Sequence, residues 1–430
     1  MRTRFLFAGL LICSMTFLAS LRAFDYSQCR YDQWMYIGNY REKPTAEMNE
    51  HNIGPSEGIY VTGYKAAWGV VEPKPRLAAE ISSPNFFALS PDQKVLYTCT
   101  TGSEVDAFAV DAETGGLALI NKARGAEGSK GYCHVAVSPD GRFLAAADYP
   151  AGLFDFFTLN ADGSIGEQFA RFAPFGSGPD EVRQKHPYGH SSYFIDTGDG
   201  LLRALLVDLG SDRVSVVSVD REKLTVTPDP DYPEMKVPAG HGCRHLAFRR
   251  AADGAYDFFV NNELGSSVTW FRVRFGNGKD VKTVGETIGT WSSLPPEFDG
   301  KVNWNQAAVD SSDDLTLMNS TAEIAVREGE GGNPATVYVS NRGHDSISVY
   351  QVLDQQEPKE LKMVQNMTTF GRAPRFFAID KTGRHLIVCN KRSGSIRTFI
   401  LGEDGKLILS TLPAVWTPWP LALEFVDRQE

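Results

Sequence analysis

The sequence predicts an all-β protein: a seven-bladed β-propeller of four-stranded antiparallel blades, with the ring closed by pairing of the N- and C-terminal strands. Two observations predict this fold. One hairpin pattern recurs six times, and the two ends of the chain supply the strands of one further unit. Each recurring window has a short apolar strand, a turn rich in Gly, Ser or Asp, and a second strand with alternating residues. The windows begin at residues 97, 146, 206, 260, 339 and 388.

Further strands extend each hairpin into a larger unit. Before most hairpins lies a strand closed by a turn, as in FFALSPDQKVL, HVAVSPDGRFL and FFAIDKTGRHL, where P-D, D-G and T-G pairs favour tight turns. A fourth strand follows a D-G turn in DGSIGEQFARF and DGKLILSTL. The windows are 49 to 79 residues apart, with an insertion around residues 285–320 in the longest gap. A four-stranded unit at this period is typical of a propeller blade.

The two ends of the chain complete the seventh blade. WTPWPLALEF near the C-terminus resembles an innermost strand that lacks its hairpin. WMYIGNYREK and GIYVTGY near the N-terminus resemble strands that lack an innermost partner. Pairing these segments would leave no open sheet edge between the first and last blades.

The first residues resemble a secretory signal peptide. Arg2 and Arg4 precede an apolar run from Phe5 to Ala19, and small residues follow. We therefore expect residues 1–23 to be removed and residues 24–430 to form a single propeller domain. This predicts a periplasmic or secreted protein with no membrane attachment after cleavage.

Charge and cysteine usage exclude several classes of partner. The chain has 43 Lys and Arg against 53 Asp and Glu, and the basic residues are scattered, so no nucleic-acid footprint is present. The cysteines are widely spaced without a C-x-x-C pair, which argues against a zinc ribbon or a disulfide scaffold. His186 and His190 are separated by Pro187 and have no third ligand, so we expect no metal and no cofactor. A closed ring needs no partner, which predicts a monomer.

Two sets of positions should ring one end of the central channel. The first set lies at the start of each innermost strand and the second at the exit of the strand that follows it. Most members are polar or ionisable, and constant spacing with varied chemistry is typical of a site carried by a symmetric scaffold. The first set is Asn85, Cys133, His190, Arg244, Ala322 beside Glu323, and Arg375. The second is Thr100, Tyr149, Leu209, Glu263, Arg342 and Lys391.

His134 and His245 each follow a member of the first set by one residue. Because side chains alternate along a strand, we expect both histidines to face the interior of their blades and to be structural.

Several motifs occur in one order along the chain, including GHSSYF, GCRHLAF, NNELGSSV and VSNRGHDSISVY. With their spacing, they resemble the seven-bladed lactonases, which include propeller-type 6-phosphogluconolactonases and the fungal carboxy-muconate cyclase. The resemblance runs from about residue 32 to residue 426. It implies lactone chemistry at the channel mouth, with His190, Arg244, Glu263 and Arg342 as the active group.

Each of these residues has a catalytic and a structural interpretation. Arg342 and Arg244 would grip a substrate carboxylate or phosphate, or else cap a turn and bridge two blades. Glu263 would act as a general base, or would only neutralise the arginines. His190 would shuttle a proton, or would be a buried imidazole. Arg375, Lys391 and Tyr149 are predicted by position alone to bind substrate.

The sequence thus predicts an exported lactonase-like hydrolase that opens a sugar-acid lactone resembling 6-phosphogluconolactone, with a small anionic lactone or carboxylate as its substrate. Two alternatives remain open. The same residues could close a muconate-type acid into a lactone, as a cycloisomerase does. The propeller could also be a binding scaffold without catalysis.

Overall fold

The computed structural model describes Tyr26 and residues 29–198, 200–276, 281–298 and 319–429. The chain divides into two units, Met1–Arg30 and Tyr31–Glu430, and the second unit forms the propeller. The predicted signal peptide, residues 1–23, lies outside the described residues. Within the described ranges, no helix is long and apolar enough to cross a membrane.

Seven antiparallel sheets form from the described residues and confirm the predicted blades. Blade 1 contains β1 (Gln33–Asn39), β2 (Gly58–Lys65), β3 (Val70–Val71), β4 (Arg76–Glu80) and the last strand of the chain. Blade 2 contains β5 (Pro84–Leu89), β6 (Val95–Thr100), β7 (Glu104–Val110) and β8 (Leu117–Arg124). Blade 3 contains β9 (Tyr132–Val137), β10 (Phe143–Asp148), β11 (Leu153–Leu159) and β12 (Ile165–Phe172).

The remaining blades follow in chain order. Blade 4 contains β13 (Gly189–Asp196), β14 (Leu202–Asp208), β15 (Arg213–Asp220), β16 (Thr225–Pro228) and β17 (Glu234–Lys236). Blade 5 contains β18 (Cys243–Arg250), β19 (Tyr256–Asn262), β20 (Ser267–Arg274) and β21 (Val284–Ser292). Blade 6 contains β22 (Ser320–Arg327), β23 (Thr336–Arg342), β24 (Ser346–Leu353) and β25 (Glu360–Thr368). Blade 7 contains β26 (Pro374–Ile379), β27 (His385–Asn390), β28 (Ser395–Leu401), β29 (Leu407–Leu409) and β30 (Val415–Trp416).

The ring closes as predicted, because the last strand, β31 (Pro420–Asp427), pairs antiparallel with β1. The register runs from Gln33 opposite Asp427 to Gly38 opposite Ala422, and β31 is the innermost strand of blade 1. In blades 1, 4 and 7 the outer edge is divided between two short strands that pair with the same neighbour.

Apolar side chains pack between neighbouring blades. Each of seven buried clusters combines residues of two adjacent blades, as Met35 of blade 1 does with Ile387 of blade 7. In the described part of the chain every interface of the ring therefore has its own core, including the one that joins the last blade to the first. These cores hold the innermost strands at fixed positions around the channel.

A β-bulge near the start of the innermost strand recurs in all seven described blades. A bulge places an extra residue on one strand, which leaves the ladder and turns its side chain aside. In β18, for example, the pairing jumps from Cys243 to His245 and skips Arg244. The skipped residues are Asn85, Cys133, His190, Arg244, Ala322 with Glu323, Arg375 and Leu421. This is the first predicted set of ring positions, with Leu421 added by blade 1.

One short helix, α1 (Ala46–Glu50), interrupts the strands of the described chain. Thr45 caps its N-terminus by accepting a hydrogen bond from the Met48 backbone N–H. The segment is held against blade 7, since Thr45 donates to the carbonyl oxygen of Arg392 and His51 stacks on Trp416 at 3.4 Å. Tyr40 and Glu42, which precede this segment in the chain, line the channel mouth.

Candidate active site

The predicted site residues surround one cavity of about 520 Å³ at the channel mouth. The strand bulges contribute His190, Arg244 and Arg375, and the hairpin exits contribute Tyr149 together with Glu263, Arg342 and Lys391. The structure thus brings together all seven residues predicted from the sequence to act on or bind substrate: His190, Arg244, Glu263, Arg342, Arg375, Lys391 and Tyr149.

Four of the predicted ring positions do not line the cavity: Thr100, Leu209, Ala322 and Glu323. Leu209 is fully buried, and Thr101 lines the cavity in place of Thr100. The threonine prediction was wrong by one residue because three residues connect β6 to β7, whereas four connect the corresponding strands of blade 3. An ungapped alignment of the hairpin windows therefore assigns the exit position of β6 to Thr100, one residue before Thr101, which lines the cavity.

Glu263 is the centre of the charged cluster. It follows β19, and its backbone N–H donates to the carbonyl oxygen of Gly242 at 2.7 Å. Its carboxylate oxygens are contacted by basic side chains from four segments of the chain: Arg183 Nη2 at 2.8 Å, Arg244 Nε at 2.9 Å, Arg342 Nη2 at 3.3 Å and His190 Nε2 at 3.7 Å.

Burial of the Glu263 carboxyl opposes ionisation, but the charges of Arg342, Arg183 and Arg244 outweigh it. They hold the pKa of Glu263 well below its usual value, so the group is a carboxylate at neutral pH.

Arg342 lies where the chain leaves β23 and is held from two sides. Its Nη2 donates to the carbonyl oxygen of Thr321 at 2.8 Å and faces Glu263. The following turn is fixed by Asp345, which accepts hydrogen bonds from the backbone N–H groups of Gly343 and Ala373. Burial lowers the pKa of Arg342 to about 9, against the attraction of Glu263, so it remains a cation at neutral pH.

Arg244 connects the cavity to a second buried carboxyl group. Its Nη1 donates to His245 Nε2 at 3.1 Å and to the carbonyl oxygen of Ala322. Because a guanidinium can only donate, His245 Nε2 must carry the lone pair and Nδ1 the proton. His245 Nδ1 therefore donates to Glu323 at 3.0 Å. Burial raises the pKa of Glu323 to about 8, so this carboxyl group is mostly protonated at pH 7.

His190 is a neutral imidazole at the cavity wall. Burial and the charge of Arg244 lower its pKa well below the usual value, although Glu263 opposes the shift. Its Nδ1 is buried and has no hydrogen-bond partner among the described residues. The ring contacts Tyr149 and His245 edge-on, with centroids 5.4 and 5.3 Å away.

Arg183 is a site residue that the sequence did not reveal. It belongs to the connection between β12 and β13, which is not part of the hairpin repeat, so no recurring frame predicts it. Asp180 accepts hydrogen bonds from the backbone N–H groups of Val182 and Arg183. The buried Gln184 fixes the loop by donating to the carbonyl oxygen of Leu209.

A second group of cations lies around Lys391. Its Nζ is 4.8 Å from the ring centroid of Tyr40 and 5.3 Å from that of Trp419, at cation–π distance. Burial and the charge of Arg375 lower the pKa of Lys391 to about 8. Burial and Arg244 lower the pKa of Arg375 to about 10. Arg392 and Glu42 also line this side of the cavity. Tyr40, Glu42 and Trp419 were missed because they lie outside the hairpin repeats.

His134 and His245 do not face the blade interiors, so their predicted orientation was wrong. They contact each other and Phe86 across the channel, with His134 stacked on Phe86 at 3.9 Å. Phe376 meets Phe86 in the same cluster at 5.7 Å. The bulge accounts for the difference, because the extra residue shifts the alternation and turns the following side chain to the channel axis. These aromatic rings form the floor beneath the cavity.

Cys133 lines the cavity, but it is a hydrogen-bonded thiol. Its Sγ donates to the carbonyl oxygen of His190 at 3.1 Å, and burial raises its pKa to about 12. The five cysteines of the described chain are all free thiols. Over the same residues, no group of three or more His, Cys, Asp or Glu side chains could hold a metal ion.

The fold and the cavity define a seven-bladed propeller with a charged site at its channel mouth. Comparison with known proteins identifies its family. The chain belongs to the family described as Lactonase, 7-bladed beta-propeller, which it matches over residues 34–418. It is 28% identical over 400 residues to a 6-phosphogluconolactonase of Bacillus subtilis (strain 168), covering 91% of this chain and 98% of that protein. It is 27% identical over 381 residues to a 6-phosphogluconolactonase of Formosa agariphila, covering 87% and 94%.

Solved structures share the fold. A chain from Bacteroides fragilis has a TM-score of 0.72 at 25% identity, and the match covers 94% of this chain and 100% of that one. The periplasmic gluconolactonase of Pseudomonas aeruginosa has a TM-score of 0.71 at 24% identity, covering 92% and 99%. At this identity the second likeness concerns the fold alone.

Proposed function

We propose that this protein is a lactonase that hydrolyses an anionic sugar-acid lactone of the 6-phosphogluconolactone type in the channel-mouth cavity. The observation that carries the proposal is the excess of positive charge there. Six cationic side chains line the cavity against the two carboxylates Glu42 and Glu263. The whole chain has a formal net charge of −10, so the positive site is a local feature that would attract an anionic substrate.

We assign the residues around Glu263 to the reacting end of the cavity and those around Lys391 to its binding end. At the reacting end, Arg244 and Arg342 are placed to stabilise the negative charge that develops on a lactone carbonyl oxygen. At the binding end, Arg375 and Lys391 would hold the carboxylate or phosphate of the substrate. The relatives named 6-phosphogluconolactonase support a phosphorylated sugar-acid lactone as the substrate.

The proton chemistry is assigned to His190 and Glu263 as a pair. Burial and the charge of Arg244 lower the pKa of His190, and the arginines lower that of Glu263, so both groups are unprotonated at neutral pH and His190 is the neutral base of the pair. Water would attack the lactone carbonyl carbon while His190 takes its proton. The bond from that carbon to the ring oxygen would then break, and His190 would return the proton to the ring oxygen. Glu263 would stabilise the transient imidazolium and hold the arginines in place.

The test is a continuous acid-release assay with 6-phosphogluconolactone and unphosphorylated gluconolactone, corrected for spontaneous hydrolysis. We expect the phosphorylated lactone to be preferred. We expect Arg342→Ala and His190→Gln each to lower kcat/KM by on the order of 10²-fold or more. Lys185→Ala is a matched surface control, because Lys185 is exposed beside the loop and does not line the cavity. A wild-type rate equal to the uncatalysed rate with both lactones would refute the proposal.

The cycloisomerase alternative is tested in parallel by following the absorbance of a carboxy-muconate, since ring closure removes the conjugated diene. We further propose that the protein is exported and acts as a monomer. The sequence of residues 1–23 supports export, and the closed ring supports the monomer. N-terminal sequencing of the mature protein and its mass in solution would test these two proposals.

A further inference from the structure

The hydroxyl group of Tyr149 has an unusual set of partners. Its oxygen accepts two hydrogen bonds from one guanidinium, from Arg183 Nε at 3.1 Å and from Arg183 Nη2 at 2.9 Å. A phenol oxygen has two lone pairs, so these two bonds fill its acceptor capacity. The hydroxyl hydrogen remains, and no acceptor for it occurs among the described residues.

Arg183 also fixes the direction in which that hydrogen can point. Its Nη2 is at the same time 2.8 Å from Glu263 Oε1, so the guanidinium is held between the carboxylate and the phenol. Tyr149 and Arg183 both line the cavity. With its lone pairs occupied from the Arg183 side, the Tyr149 O–H is directed away from the guanidinium, and a neighbouring cation makes it a stronger donor.

Hydrogen bonds to Asp148 hold the turn that carries Tyr149. Asp148 accepts hydrogen bonds from the backbone N–H of Ala151 at 2.9 Å and of Lys130 at 2.6 Å. The Tyr149 ring packs beside Tyr188, with centroids 5.0 Å apart. A donor held in place before the reaction does not need to reorganise as charge develops.

We propose that Tyr149 is a catalytic residue that donates its O–H to the substrate carbonyl oxygen as that oxygen becomes an oxyanion, and that Arg183 is its positioning residue. The inference rests on the proposed lactonase function and names a donor in addition to Arg244 and Arg342. Tyr149 keeps its proton throughout, and the ring oxygen receives its proton from His190. In agreement, burial raises the pKa of Tyr149 to about 12, which disfavours transfer of the proton.

The decisive variant is Tyr149→Phe, which removes only the hydroxyl and preserves the ring contacts with Tyr188 and His190. We expect kcat for 6-phosphogluconolactone to fall by on the order of 10²-fold with KM changed less than about 3-fold, as for loss of one oxyanion donor. Tyr188→Phe is the matched control, because Tyr188 is adjacent and does not line the cavity. 3-Fluorotyrosine at position 149 keeps the hydroxyl and should retain activity.

Arg183 is tested through the pH profile. Arg183→Gln removes one cation from Glu263, so the acid limb of kcat/KM should move to higher pH while Arg183→Lys restores it in part. A merely structural loop residue would lower protein yield or Tm without moving this limb.

The possible failures are distinguishable. If wild-type protein hydrolyses no lactone, the proposed function is refuted. If wild-type protein is active and Tyr149→Phe has the same kcat, or changes KM alone, the role of Tyr149 is refuted and the lactonase proposal stands. If Tyr149→Phe does not fold, inactivity of the 3-fluorotyrosine protein in its folded state would overturn the inference.

Discussion

Glu263 shows how one side chain can organise a site built from distant segments. Its partners Arg183, Arg244 and Arg342 are up to 159 positions apart in the sequence, and each arginine would repel the others without the carboxylate. Removing one partner of a buried ion pair typically costs about 3–5 kcal/mol, because the remaining charge is left uncompensated. Glu263 therefore has a structural role as well as its proposed catalytic one.

The first prediction concerns acid stability. The folded pKa of Glu263 lies below its unfolded value, so the stabilisation is complete above pH 4.5 and is lost as the pH falls through the folded pKa. We expect Glu263→Gln to be less stable at pH 7 by about 3 kcal/mol and to show a smaller further loss below pH 4.5. Urea unfolding at pH 7 and pH 4 measures both effects. Glu286→Gln, on the exposed side of β21, is the control. Parallel losses in both variants would contradict the prediction.

The second prediction concerns Lys391. Its pKa of about 8 means that the side chain is charged at pH 7 and mostly neutral at pH 9.5. If Lys391 binds the anionic end of the substrate, affinity for 6-phosphogluconate should fall as the pH rises through 8. Lys391→Arg should remove this dependence, because arginine stays charged. Isothermal titration calorimetry between pH 7 and 9.5 gives the dissociation constants. The same pH dependence in both proteins would exclude Lys391 as the titrating group.

The sequence predicted the residues of the site that lie at repeated positions. The hairpin frame placed His190, Arg244 and Glu263, together with Arg342, among the ring positions, and the resemblance to the lactonases singled these four out. The structure places all four around one cavity. Arg183 could not be predicted, because it lies in an irregular loop that has no repeat period from which its position could be inferred. The Thr100 error has a similar origin, because a turn shortened by one residue is invisible without the strand register.

At the level of elements, the bulge in each innermost strand explains why the site residues face the cavity. A regular strand would alternate its side chains between the two faces of the blade. The extra residue instead leaves the ladder and is directed toward the mouth, and the next one reaches the channel axis. The bulge therefore produces both the charged rim with Arg244 and the aromatic floor with His245.

Gly152 provides a test of how two elements place Tyr149 and Arg183 together. It ends the turn between β10 and β11 with a φ of 68°, and a Cβ atom there would overlap the carbonyl oxygen of Pro187 in the Arg183 loop. Gly152→Ala should cost more than about 1 kcal/mol in stability and should separate the two side chains. We expect lower kcat as a result.

Gly331→Ala is the matched control for this prediction, because Gly331 has a similar φ of 62° with open space around it. The Gly331→Ala variant includes the cost of the left-handed backbone conformation but not the overlap with the Pro187 carbonyl oxygen. Differential scanning calorimetry and the lactone assay compare the two variants. Equal changes in Tm and kcat would show that contact with the Pro187 loop is unimportant.

For the whole molecule, the repeat made the fold predictable, but the channel floor could not be predicted. Hairpin periodicity indicated the blades, and the terminal segments indicated how the ring closes. The floor depends on contacts across the axis, such as Phe86 of blade 2 with Phe376 of blade 7, that local patterns do not contain. The net negative chain and its positive cavity likewise became distinct only when folding gathered the cations at one end.

Ring closure makes the last strand essential to the stability of the whole molecule. Phe425 of β31 is buried in the cluster shared by blades 1 and 7, while Val426 next to it is buried in the cluster shared by blades 1 and 2. One strand near the C-terminus thus completes two of the seven interblade cores. Loss of either core would open the ring at one interface and disturb the strand register that holds the site residues together.

The final prediction follows from this position. Phe425→Ala should lower the free energy of unfolding by about 3–5 kcal/mol, the usual cost of truncating a buried phenylalanine. Ile408→Ala removes an aliphatic side chain from the exposed edge strand β29 and should change stability by less than about 0.5 kcal/mol. Guanidinium unfolding should remain a single transition in the control.

If closure by β31 holds the ring together, Phe425→Ala should also lose lactonase activity at a lower denaturant concentration than the control, because residues from every blade line the cavity. Equal midpoints for the two variants would show that the ring is stable without this contact.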